Sequence, residues 1–140
     1  QISHQTKILI SNMRYDKLKE FNQMNINVRN SEDKIEYKRK LGELNAFLVD
    51  LKMSHLFKGT ENSSLIDERI HTCIEELITM LSQNSIDENK YNEKSKSFIA
   101  FTYQTSSVME MFILAQLKRD EDICFKNIGD FLNKVVEKKK

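Results

Sequence analysis

Apolar positions recur at helical spacing along most of the chain, and they are densest between Phe98 and Leu117. There Phe98, Phe101, Thr105, Val108, Phe112 and Ala115 step by three and four, with Ile99, Tyr103, Met109, Ile113 and Leu117 as a second row beside them. That spacing predicts a helix apolar around much of its circumference, the mark of an element packed against several neighbours. The stretch approaches the length of a membrane span, but Thr102, Gln104, Thr105, Ser106, Ser107, Glu110 and Gln116 interrupt it. A carboxylate near the bilayer centre costs about 2 to 3 kcal/mol, so the stretch is read as a central core helix. The polar run Gln104 to Ser107 is expected to bond back to the preceding turn.

The other elements follow from weaker patterns. A first helix is expected from Ile2 to Ile26, with Ile10, Met13, Lys17, Phe21 and Met24 as its stripe. Asn22, Asn25, Asn27 and Asn30 predict a linker, because asparagine competes with the helix for backbone hydrogen bonds. A second helix is expected from Glu32 to Phe57, capped by Asn30 or Ser31. Its Tyr37, Leu41, Leu44, Leu48, Leu51 and His55 step by four and three. That is a heptad seam suited to near-parallel or near-antiparallel packing on another helix, in this chain or in a partner. Gly59 is expected to close this helix in the left-handed conformation. Ser64 and Asp67 have capping-box spacing and predict the start of a third helix. That helix carries Ile66, Ile70, Cys73, Leu77 and Met80 and ends near Gln83 or Asn84. Asp87 is expected to cap a fourth, which runs into the central stretch. A last helix would carry Cys124, Ile128, Phe131 and Val135.

Together these elements predict an all-α fold: one domain spanning the 140 residues, a four- to five-helix, mostly antiparallel bundle. Composition agrees. The chain has no proline, only three glycines and 31% charged residues, which suits long helices joined by short connections. The net charge of +1 offers no electrostatic reason to expect nucleic acid as a partner. The sequence begins at Gln1, as a processed chain or a fragment would. A cytoplasmic location is expected, or an extracytoplasmic one if the domain has been excised or processed.

Candidate chemistry is sparse. Glu68 and His71 form a Glu-x-x-His pair, two of which, with two further carboxylates, build a di-iron site in some bundles. Only one such pair is present, so an ion pair in solvent is the plainer reading. Asp67, His71 and Glu75 share one helix face and form a candidate site for a single surface metal. His55, at the end of the heptad seam, could sense pH or cap the helix end. His4 lacks the neighbouring acid that a phospho-accepting histidine uses. Cys73 and Cys124 fall on core stripes and are read as buried thiols, or as a disulfide in an extracytoplasmic chain. Asn62-Ser63-Ser64 is a glycosylation sequon, relevant only to a secreted chain. Lys34, Lys38, Arg39 and Lys40 alternate with Glu32, Asp33, Glu36 and Glu43, which reads as a solvated face of mixed charge.

No nucleotide, cofactor or catalytic motif emerges from these residues. The expected function is a non-catalytic helical module for interaction or regulation, acting on another protein or by self-association. An extracytoplasmic sensory bundle of a membrane receptor and a secreted helical signalling protein are the alternatives.

Overall fold

The computed structural model describes residues 3–58 and 64–118. They form four helices: α1 (His4–Arg29), α2 (Lys34–Met53), α3 (Glu68–Leu81) and α4 (Glu88–Lys118). The fold is an all-α, antiparallel bundle. Each helix packs on its two neighbours in chain order, and α4 closes the ring against α1. Cross-helix contacts set the directions. Arg29, Asn22 and Arg14 of α1 meet Tyr103, Ser106 and Phe112 of α4 in turn. Arg69 and Cys73 of α3 meet Phe101 and Lys94 of α4. The expected fifth helix lies outside the described residues.

Side-chain caps set the helix starts. Ser3 Oγ accepts the Thr6 amide at 3.1 Å. Asp33, not Asn30 or Ser31, caps α2: its carboxylate accepts the Glu36 amide at 2.8 Å, while the Glu36 carboxylate accepts the Glu32 amide at 2.9 Å. This is a reciprocal cap of the capping-box kind, with the returning bond one residue early. The expected box at Ser64 is not used. Ser64 Oγ instead accepts the Ile66 amide at 3.1 Å, and Asp67 caps α3. Leu65 and Ile66 are buried by the turn that precedes the cap, so α3 begins later than its apolar pattern does. Asp87 caps α4 as expected, accepting from Asn89 and Lys90.

Two boundaries depart from the sequence reading. First, α1 runs on through Asn22, Asn25 and Asn27 to Arg29. Burial of Phe21 and Val28 outweighs the weak helix preference of asparagine, and Gln23 bonds Asn27 one turn on. Second, α2 stops at Met53, and His55, with φ 64°, takes the left-handed position expected of Gly59. Leu56 and Phe57 then turn under the bundle and are buried. Arg14 Nε donates to the Leu56 carbonyl at 2.7 Å, and the Leu65 amide donates to the Phe57 carbonyl at 2.9 Å. Gly59 and the sequon residues Asn62 and Ser63 lie outside the described residues.

The core is shared among the helices and is not wrapped around α4 alone. Phe21, Leu41, Leu44, Ile74, Leu77 and Met109 are fully enclosed. Phe21 stacks on Phe47 at 6.2 Å, and Phe57 meets Phe112 at 5.7 Å. On α4, Phe98, Val108, Met109, Phe112 and Ile113 point inward, whereas Ile99, Tyr103 and Leu114 are exposed. The expectation of a helix covered on most sides is corrected: in a ring of four, each helix touches two neighbours and keeps one face outward. On α1 the buried stripe is Leu18, Phe21, Asn25 and Val28, so Met13 is left exposed and Lys17 rests over the Phe47 ring.

Candidate interaction faces

The heptad seam of α2 is consumed inside the bundle. Leu41, Leu44, Leu48 and Leu51 are buried against α1 and α3, so the seam is not open as a continuous surface for a partner. Tyr37, at its upper end, is half-buried and bonds Ser95 of α4. Burial, with Tyr91 close by, pushes its phenol up to about 12. His55 lies off the seam, past the helix end.

The candidate metal ligands do not converge. Glu68 reaches across to Lys52 of α2. His71 Nε2 sits 3.0 Å from Glu75 Oε1, and Asp67 holds Arg69 at 2.6 Å. The Arg69 hydrogen bonds keep the Asp67 carboxyl below its ordinary range. Among the described residues no three His, Cys, Asp or Glu side chains are placed to share an ion. Cys73 is a buried free thiol whose Sγ donates to the Lys94 carbonyl at 3.4 Å, and burial pushes its pKa up. It is packed as a small hydrophobe, not activated as a nucleophile. Cys124 lies outside the described residues. Two of the basic residues of α2 are paired within the helix: Arg39 with Glu43 at 2.6 Å, and Lys40 with Glu36 at 3.0 Å.

Exposed apolar side chains gather on two opposite sides of the ring. On the α2/α3 side, Val49 and Met53 border a groove of about 290 Å³ floored by Leu48, Ile66 and Ile70, with the Lys52–Glu68 pair at its rim. On the α1/α4 side, two outward rows run together. Tyr15, Lys19, Asn22, Ile26 and Arg29 step by four and three along α1, and all are exposed. Along α4, Ile99, Tyr103, Ser106, Glu110 and Leu114 step by four, three, four and four. Tyr103 is 62% exposed and Leu114 47%, values far from a core position. The two rows are tied by Ser106 Oγ to Asn22 Oδ1 at 2.7 Å and by Arg29 to the Tyr103 hydroxyl at 3.5 Å. The sequence reading missed this strip because it assigned Ile99 and Tyr103 to a buried row. Glu110, which shares the helix face of Ile99 and Tyr103, was the available signal.

A third feature is a cavity of about 380 Å³ where the α1–α2 turn meets the start of α4. Val28, Tyr37, Tyr91 and Phe98 line it, with Arg29 and Lys34 at its mouth. No described helix is long and apolar enough to cross a membrane. Comparison with protein families, curated proteins and solved structures finds no match to this chain.

Proposed function

We propose that the protein is a non-catalytic helical interaction module that works through protein–protein contacts. The observation that carries this reading is the alignment of exposed apolar residues, above all Ile99, Tyr103, Leu114, Tyr15 and Ile26, into rows on one side of a bundle whose own core is already filled. Exposed apolar residues scattered singly are ordinary, but rows at helical spacing on two adjacent helices form a surface that a partner can cover. The test compares proteins bound by the full chain with those bound by Ile99→Lys/Leu114→Lys and by Val49→Lys/Met53→Lys. Loss of a bound protein, or of self-association, from at least one variant is expected. An unchanged set from both would refute the reading.

A second reading, the sensory bundle of a membrane receptor, draws on the helix lengths. The outer helices α1 and α4 have 26 and 31 residues against 20 and 14 for α2 and α3. The His4 end of α1 and the Lys118 end of α4 lie at the same end of the bundle, opposite the 380 Å³ cavity. In that reading the cavity would take the ligand, and binding of small molecules by the isolated protein would show it.

A further inference from the structure

We propose that the α1/α4 strip is the contact between two copies of this chain, related by a twofold axis that crosses the helices near Asn22 and Ser106. The inference rests on the interaction-module reading and names the partner for this one face. A twofold contact needs a self-complementary surface: whatever stands on one side of the axis must fit what stands equally far on the other. The strip has that property. On α4, Ile99 and Leu114 stand equally far from the Ser106–Ser107 step, about 11 Å along the helix in each direction. Tyr103 and Glu110 are also equidistant from that step. On α1, Tyr15 and Ile26 are equidistant from the Glu20–Phe21 step. The Asn22–Ser106 and Arg14–Phe112 contacts bring these two midpoints to the same height, within about one residue's rise.

One rotation therefore satisfies both helices. It sets Ile99 against Leu114 of the second copy and Tyr15 against its Ile26, with α1 antiparallel to α1 and α4 antiparallel to α4. It also sets Glu110 of the second copy opposite Tyr103, beside the Arg29 guanidinium that Tyr103 contacts. Neither Arg29 nor Glu110 has an ion pair among the described residues, so the contact supplies each with an opposite charge. Lys19, near the axis, is balanced by Asp16 of its own chain at 3.8 Å. A strip about 22 Å long and two helices wide covers roughly 900 Å² over both copies. That is small for a specific interface, so the dimer is weak and reversible, with a Kd roughly at or above the micromolar end of the range that standard-sized interfaces span.

Sedimentation of the full chain across a concentration series spanning that Kd tests the proposal. A monomer–dimer equilibrium is expected, weakened about tenfold or more in Ile99→Lys/Leu114→Lys. Thermal stability measured at concentrations well below that Kd, where both chains are monomeric, should be unchanged in that variant, because both sites are exposed. Orientation is read by oxidising a mixture of Ile99→Cys chains and Leu114→Cys chains, with the wild-type chain as the control for its own thiols. Linkage of 99 to 114 between chains is expected in excess of 99 to 99. A parallel 99-to-99 linkage would overturn the proposal. So would a chain that stays monomeric throughout. If the lysine variant of that monomer also melts early, the strip is covered by the chain's own residues. If it melts normally, the strip is open to a different protein, and the interaction-module reading stands or falls on the comparison of bound proteins.

Discussion

Replacing Phe112 by alanine should cost about 4 kcal/mol, whereas the same change at Phe101 should cost about 1 to 2 kcal/mol. The two residues share one helix and one row of the sequence pattern, so periodicity alone would give them the same value. The structure separates them. Phe112 is 3% exposed, its ring 5.7 Å from Phe57 and 4.9 Å below the Arg14 guanidinium. Truncation removes an apolar surface of about 150 Å² or more from the interior, and at about 25 cal/mol per Å² that is close to 4 kcal/mol before any cavity term. It also takes the ring away from Arg14, whose pKa burial already lowers and whose Nε donates to the Leu56 carbonyl. Phe101 is half-buried beneath Arg69, at 5.2 Å, and keeps part of its surface in water. A domain of this size has a total stability of about 5 to 15 kcal/mol, so Phe112→Ala should remain folded but unfold at far lower urea. The assay is urea unfolding followed by far-UV circular dichroism, with Phe112→Leu as a milder variant that keeps the site filled. Equal costs for Phe101→Ala and Phe112→Ala, within about 1 kcal/mol, would show that α4 does not sit with the face assigned here toward the core.

The remaining predictions use the same measurements. His55→Gly should raise stability by about 1 kcal/mol, since only glycine takes a φ of 64° without steric cost; a fall on thermal melting would refute the helix end placed there. Asp33→Ala should lower stability by about 1 kcal/mol by removing the α2 cap, and Ser31→Ala by much less. The Asn25 amide oxygen is buried with no bonding partner among the described residues, so Asn25→Leu should stabilise the bundle, by about 1 kcal/mol in urea unfolding. Tyr37 holds its proton longer folded than unfolded. Its contribution is therefore present below the unfolded pKa of about 10 and is lost as pH rises through its folded value of about 12. Tyr37→Phe should remove a phenol titrating at about 12 from the ultraviolet titration and flatten the loss of stability in that alkaline window.

The helices were legible where the pattern was regular. The Tyr37–Leu51 seam, the Ile70–Leu77 part of the α3 stripe and the Asp87 cap read correctly as local features, because each depends on spacings within one turn or two. Boundaries misread were those where a distant contact prevailed over a local preference. The asparagines of α1 read as a linker, yet Phe21 and Val28 hold that turn in the core. The end of α2 read as Gly59, yet burial of Leu56 and Phe57 pulls the chain out of the helix first. Burial was misassigned for a related reason. Helical periodicity shows which residues share a face, but it cannot show which of two apolar faces turns inward when both α1 and α4 carry two.

The order of apolar and polar residues determined that this chain is helical, where most helices lie and which side of α2 and α3 meets the core, because those follow from repeats of three and four residues. Only the tertiary structure decided that α4 has an open side, that the α2 seam is spent within the chain, and that the rows from Tyr15 to Arg29 and from Ile99 to Leu114 lie side by side at matched height. These facts depend on how the ring of four helices closes. Closure is set by the summed packing of Phe21, Phe47, Phe57 and Phe112 across elements far apart in the chain, and no local repeat encodes it.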